Sequence, residues 1–271
     1  MIRRRTLKFW VPAERVDTMR ARVMDYLPPF VYPGAQEFNG VASIYLDTRR
    51  FDLYRQRMET PDSSTLMRLR WYETPAKGPV YIELKQNRSG GLEIKRRFGI
   101  PASLLPGFLD GSASLQEIID SATMPDDKDF IAQFATELRG FVTARELRPR
   151  VGVQARRRMF QDGEAGRIRL TLDTGVTMRH ADDLNEPSWD SIPAQAHRLH
   201  WAVMEVKLAT TAPPWLKPLL SDAQLISRDD FTKYGHGVAM LNPDRRLSLP
   251  MPTWVHTYMA ATQPAPRVAA A

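Results

Sequence analysis

The residues able to do chemistry in this chain are cations standing in closely spaced pairs. In "TLMRLRWYE", residues 65–73, Arg68 and Arg70 lie two apart. Side chains of a β-strand alternate between faces, so these arginines and Tyr72 share one face, and Met67, Leu69 and Trp71 share the other. The pattern recurs. "YIELK" sets Tyr81, Glu83 and Lys85 against Ile82 and Leu84, and "RIRLTLD" sets Arg167, Arg169, Thr171 and Asp173 against Ile168, Leu170 and Leu172. "VMEVKL" sets Val203, Glu205 and Lys207 against Met204, Val206 and Leu208. Guanidinium forks bind phosphate oxygens bidentately and lysines act as point charges, so these faces suit a polyanion.

Any one such strand fits a sheet with one face in the core and one in water. The repeated choice of Arg and Lys points elsewhere. A sheet packed outward against helices and curled on itself would put the charges in a lumen. Such a lumen needs water and an anion inside it. Each uncompensated buried ion costs several kcal/mol, against a total domain stability of about 5–15 kcal/mol.

The elements that must position these faces follow from periodicity and punctuation. "TLKFWV" reads as a strand. "AERVDTMRARVMDYL" reads as a helix on Val16, Met19, Val23 and Tyr26, stopped by Pro28 and Pro29. "VASIYLDT", "FDLYRQRME", the opening stretch, "PVYIELK" and "LEIKRRFGI" then read as successive strands, the last two joined by the turn-like "QNRSGG". Short links favour an antiparallel meander. Residues 101–125 carry turn residues and short apolar runs. The helix in "PDDKDFIAQFATELRGFVTAREL" has a stripe of Phe130, Ile131, Phe134, Leu138, Phe141 and Val142, a cap at Asp126 or Asp127, and Pro149 beyond it. Strands resume with "RVGVQARRRMF", "RIRLTLDTGV" and "HWAVMEVKL", followed by a short helix around "PPWLKPLLSDAQL". The expected class is α+β, mainly β: a closed antiparallel barrel with helices outside. Residues 1–243 form one domain, and 244–271 a Pro/Ala-rich tail whose last ten residues are expected to be poorly ordered.

Composition narrows the function classes. The 271 residues include 38 Lys+Arg against 31 Asp+Glu, a net charge of +7 that favours anionic partners. There is no cysteine, so disulfides, thiolate metal sites and a cysteine nucleophile are excluded. No run approaches the ~20 apolar residues that span a bilayer, and the expected location is cytoplasmic. The basic start and Arg156–Arg158 lack an aromatic stacking platform, which argues against nucleic acid. "RSGG" is a hairpin turn in this reading, His236 in "KYGHG" a structural or solvent-exposed histidine in a turn, and Trp71 and Trp201 packing residues.

In this order, "TLKFWV", "SIYLDT", "RLRWYE", "YIELK" with "EIKRRF", "RIRLTLDT", "MEVKL" and "FTKYGHG" resemble vacuolar transporter chaperone (VTC) domains. These are catalytic domains of polyphosphate polymerases within the triphosphate tunnel metalloenzyme superfamily. The resemblance spans about residues 4 to 240. It implies a tunnel that binds ATP and transfers the terminal phosphoryl group to a growing polyphosphate chain, with a divalent metal, Mn²⁺ or Mg²⁺. It further implies phosphate-ligand roles for Lys8, Arg57, Arg68, Arg70, Lys85, Lys95, Arg157, Arg169 and Lys233, with Lys207 beside them in "MEVK". Glu205 is the implied metal carboxylate and Glu83 the second choice; Glu83 could instead pair with a lumen cation. A membrane-protein partner is compatible with the resemblance.

Three departures stand out. The E-x-E-x-K start of the superfamily's hydrolases and cyclases reads Arg4, Thr6 and Lys8 here, a loss of carboxylates shared by VTC domains. A tyrosine expected two residues before Arg157 is Ala155. A lysine expected three residues before Lys233 is Asp230. These last two keep alive a non-catalytic polyphosphate-binding or sensing domain, and a tripolyphosphatase is the third alternative.

Overall fold

A computed structural model of the chain describes residues 5–31, 39–73, 78–89, 92–123, 127–182, 195–222, 224–242 and 247–262. Strand β1 (Arg5–Pro12) leads to helix α1 (Val16–Met24), strand β2 (Asn39–Asp47) and helix α2 (Asp52–Glu59). Strands β3 (Thr65–Tyr72), β4 (Val80–Arg88) and β5 (Leu92–Ile100) follow, then helices α3 (Leu105–Asp110), α4 (Leu115–Ser121) and α5 (Lys128–Ala144). The remainder comprises β6 (Arg148–Gln161), β7 (Ile168–His180), β8 (His197–Arg198), β9 (Trp201–Leu208), α6 (Leu216–Leu220), β10 (Ile226–Ser227), α7 (Lys233–Leu241) and α8 (Thr253–Thr262).

The strands form one sheet in the order β10-β1-β9-β7-β6-β2-β3-β4-β5, with β8 on β7. All ladders are antiparallel. The meander expected from the short links accounts for β2 to β5 and for β6–β7, whereas β1–β9 and β2–β6 join distant parts of the chain. Among the described residues no ladder joins β5 to β1 or β10, so the sheet is not hydrogen-bonded shut. It is nevertheless curled. In a flat sheet β1 and β4, six steps apart in the strand order, would lie ~29 Å from each other. Instead the charge of Lys85 on β4 acts on Lys8 of β1.

Three apolar clusters fix the two sides. Met67, Leu69 and Trp71 are buried against Phe108, Ile118, Phe134 and Leu138 of α3 to α5. Met204, Val206, Leu170 and Leu172 pack on Met19 and Val23 of α1 and Leu216 and Leu219 of α6. Both clusters lie on the convex side, where the alternation places the apolar residues. The third cluster lies on the other face and plugs part of the interior: Trp10, Tyr45, Val153 and Met178 meet Tyr234 and Val238 of α7 and Trp254 and Tyr258 of α8.

Several elements differ from the sequence-based expectation. "FDLYRQRME", expected as a strand, is helix α2. Its free N–H groups are capped by the buried Asp47, which accepts from Leu53 N at 2.9 Å and Tyr54 N at 2.9 Å, and by Thr48 Oγ1, which accepts from Asp52 N at 3.1 Å. The 101–125 stretch holds α3 and α4, each too short for a convincing helical period. As one of the two expected caps, Asp127 starts α5 by accepting from Phe130 N at 2.9 Å, and Asp126 lies outside the described residues. His236 lies in helix α7 and not in a turn. Thr232 caps that helix, accepting from Gly235 N at 2.9 Å, and a Cβ at Gly237 would stand 2.8 Å from Val151 Cγ1. Tyr26, expected on the buried stripe of α1, lies past its end and is 51% exposed. Within the expected tail, α8 buries Trp254, Val255 and Tyr258. Residues 263–271, most of the stretch expected to be poorly ordered, lie outside the described residues, as do Gly90 and Gly91 of the "QNRSGG" turn.

Candidate functional site: a basic channel on the concave face

The strand register sets which side chains meet. Cross-strand neighbours on the concave face include Arg68 and Glu83, Lys85 and Lys95, Arg157 and Asp173, Lys8 and Glu205, and Arg169 and Lys207. Helix α2 brings Arg57, and the first residue of α7 brings Lys233. The sequence-predicted cations are thus assembled from seven strands and two helices.

Around Glu83, which is 1% exposed, three cations gather. Arg68 Nε donates to Oε2 at 2.6 Å, Lys95 Nζ stands 2.7 Å from Oε1, and Arg97 Nη1 stands 3.5 Å from Oε1. Burial alone would raise the carboxyl's pKa, but Arg68, Arg70 and Lys95 hold it far below the ordinary range. Glu83 is therefore an ion-pair hub, the second role considered for it. Arg70 donates from Nε to the neutral Ser43 Oγ at 3.1 Å, while its charge acts on Glu83.

Asp173 forms a second hub. Its Oδ1 accepts from Arg157 Nε at 2.6 Å, and its Oδ2 accepts from Arg157 Nη2 at 2.8 Å and Lys233 Nζ at 2.5 Å. Burial is again outweighed, here by Arg157 and Lys233, and the carboxyl lies far below its usual pKa. Sequence reasoning put Asp173 on the charged face but gave it no part in the site. Only the β6–β7 register, shifted by an irregularity between Gln154 and Arg156, reveals its partner.

Glu205 is the most open of the three carboxylates, at 23% side-chain exposure against 1% for Glu83 and 2% for Asp173. Lys207 Nζ stands 3.2 Å from its Oε1. Burial opposes ionisation, and Lys207, Lys233, Arg157 and Lys8 overcome it, so Glu205 is an anion at neutral pH. Lys8 donates from Nζ to the backbone carbonyls of Phe231 at 2.8 Å and Asp229 at 3.0 Å. Burial lowers its pKa to about 8, against the opposing pull of Glu205 and with help from Lys85, Arg57 and Lys233.

Arg57 donates to Ser64 Oγ at 3.0 Å and Pro61 O at 3.2 Å, and Lys85 stands 2.6 Å from Glu93. Arg169 Nε donates to Gln161 Oε1 at 3.2 Å. A narrow recess, with room for about one water-sized group, opens beside Ala155, lined also by Tyr45, Arg70, Arg157, Asp173 and Lys233. Asp230 is exposed and accepts from Thr253 Oγ1 at 2.7 Å, at the start of α8. Tyr72 completes the Arg68–Arg70 face: burial would raise its pKa, but Arg70, Lys95 and Arg157 bring it down to about 8.

A hard divalent cation takes carboxylate and phosphate oxygens together. Among the described residues no group of three or more His, Cys, Asp or Glu forms a ready-made metal cage. A carboxylate is a donor such a cation accepts, and Glu205 is the most exposed of the three carboxylates.

The VTC domain profile matches residues 3–242. The chain belongs to the VTC domain family. It is 28% identical to vacuolar transporter chaperone complex subunit 4 of Trypanosoma brucei brucei over 286 residues, covering 93% of this chain and 36% of that protein. Subunit 4 of Schizosaccharomyces pombe is 27% identical, covering 91% of this chain and 38% of that protein. Subunit 2 of the same yeast is 28% identical, covering 94% and 40%. This VTC domain thus spans well under half the length of these relatives. Among solved structures, a Hippeastrum protein described as having a dominant triphosphatase activity aligns with a TM-score of 0.44 at 16% identity, covering 87% of this chain and 95% of that one. The PH1819 protein of Pyrococcus horikoshii aligns at 0.38 and 10%, covering 79% and 84%. Among the described residues no helix is long and apolar enough to cross a membrane.

Proposed function

We propose that this VTC domain is a metal-dependent polyphosphate polymerase that transfers the terminal phosphoryl group of ATP to a growing polyphosphate chain. One observation carries the reading: cations from seven strands and two helices face one curled interior, and they outnumber the carboxylates between them. A row of repeating anions matches that charge; a single small anion does not.

Phosphoryl transfer needs positioning and charge neutralisation more than covalent work by the protein. Arg70, together with the remaining donors of Arg68 and Arg157, whose Nε and Nη2 face Glu83 and Asp173, orients phosphate oxygens, and Lys8, Lys85, Lys95, Lys207 and Lys233 supply point charges along the chain. Arg57 and Arg169 extend the row. Glu205 would hold Mn²⁺ or Mg²⁺, which would supply charge neutralisation to phosphate oxygens. With ATP as donor we place the reaction on the cytoplasmic side, with a membrane-protein partner as receiver of the product.

The test is production of long, acid-labile phosphate chains by the purified protein with ATP and either metal. Arg70→Ala or Glu205→Ala is expected to lower the rate about 10²–10³-fold, the cost of removing one preorganised charge-stabilising group. A folded protein that makes no product with either metal contradicts the reading. A binding-only domain is the second reading, favoured by Ala155 and the recess beside it. It expects tight polyphosphate binding that survives Glu205→Ala without turnover. Phosphate release from short chains would instead mark a tripolyphosphatase.

A further inference from the structure

We propose that Asp173 is a positioning residue, which holds Arg157 and Lys233 together in the free channel and yields Lys233 to an arriving phosphate. The inference rests on the polymerase reading for its kinetic consequence, but its binding consequence stands apart.

The geometry is asymmetric. Arg157 meets Asp173 with two donors, Nε to Oδ1 at 2.6 Å and Nη2 to Oδ2 at 2.8 Å. This paired fork is directional and fixes the guanidinium plane. Lys233 meets the same carboxylate with one donor, Nζ to Oδ2 at 2.5 Å. An ammonium carries three donors on a flexible stem, so this contact can be exchanged at little geometric cost. Asp173 is 2% exposed and lies between β6 and α7, which carry the two cations. The recess beside Ala155 touches Asp173, Arg157, Lys233 and Arg70. A phosphate at the mouth of that narrow recess, with one oxygen reaching in, stands where it can take Lys233 from the carboxylate while Arg157 stays clamped. Asp173 thus occupies, in the free protein, part of the place a substrate oxygen takes.

This role separates binding from rate. Asp173→Asn removes one negative charge from the channel, so affinity for a polyanion is held or strengthened, while the fork that orients Arg157 is loosened and turnover falls. A merely structural role would lower both together with thermal stability. The experiment measures binding of inorganic tripolyphosphate by calorimetry, kcat and KM for ATP, and the melting temperature, for the wild type, Asp173→Asn and Asp173→Glu. The expected result for Asp173→Asn is a kcat at least about tenfold lower with tripolyphosphate affinity equal to or tighter than wild type. Asp173→Glu keeps the charge but moves it, and a lowered kcat at unchanged affinity and melting temperature is expected. Wild-type kcat in either folded variant, or affinity lost in parallel with melting temperature, overturns the proposal. If Asp173→Asn does not fold, the Asp173→Glu result decides alone. Failure of wild type to bind tripolyphosphate refutes the channel reading itself, whereas normal wild-type binding and turnover with unaltered variants refutes only the role of Asp173.

Discussion

At the scale of the residue, protonation is the lever most open to measurement. Burial, then the cations around them, bring Lys8 and Lys95 down to about 8 from 10.5, with Glu205 and Glu83 respectively pulling the other way. An ammonium is charged below its pKa, so the channel keeps these two charges at neutral pH and loses them as pH rises through about 8. Tripolyphosphate affinity is expected to fall over that interval, and calorimetric titrations in buffers on either side of it check this. A Lys8→Met variant should bind more weakly below that point and show a shallower fall. Affinity that is flat or rises through the interval would count against these lysines as ligands. Which residues share a face was legible in the sequence, because Arg68 and Arg70 alternate with Met67, Leu69 and Trp71; the repeated basic faces and the VTC resemblance pointed that face inward. What each carboxylate does was not legible. Asp173 and Glu83 sit on the same face as the cations, but their partners come from neighbouring strands, and register is invisible to a pattern read along one strand.

The element scale explains where the pattern reading failed. Helix α2 forms where a strand was expected because Asp47, fixed on β2 and bonded to Tyr234 Oη, offers its carboxylate to the helix's first N–H groups. That cap also sets the helix that carries Arg57. In α7 the glycines of "KYGHG" look like turn residues but are packing residues: a Cβ at Gly235 would meet Thr232 Oγ1 at 2.7 Å and the Trp254 ring at 3.1 Å, and at Gly237 Val151 Cγ1 at 2.8 Å. Gly237→Ala is expected to destabilise the fold by about 1–3 kcal/mol through overpacking, read by denaturant unfolding. A stabilised variant would show that the contact relaxes freely. Helices α7 and α8 also meet at His236, which is fully buried, with Nε2 3.2 Å from His197 Nε2 and, among the described residues, no partner for Nδ1. Burial, helped by His197, lowers its pKa to about 3 from 6.5. The unfolded chain therefore takes up a proton below about pH 6.5 that the folded state refuses, and stability falls as the pH drops from there towards 3. Thermal melts should show a smaller acid loss for His236→Gln than for wild type, and an equal loss would remove His236 as the cause.

At the scale of the whole molecule, the apolar faces and the charged faces have exchanged the places expected of an ordinary one-sided sheet. Helices α1, α3 to α5 and α6 cover the convex side, and the curl turns the cations inward, where the carboxylates compensate only some of them. The mainly β class, the outer helices and the inward face followed from alternation and from the VTC resemblance. Among the described residues no ladder joins the two sheet edges, and such edge pairing depends on how far the sheet curls and not on any strand's own sequence. The channel reading is tested most directly by a crystal structure with a non-hydrolysable ATP analogue and Mn²⁺, with the metal located by its anomalous signal. The expected result is a phosphate chain along the concave face against Arg68, Arg70 and Arg157, with Mn²⁺ at Glu205. A nucleotide bound on the convex surface, with the channel free of phosphate at saturating analogue, would contradict it.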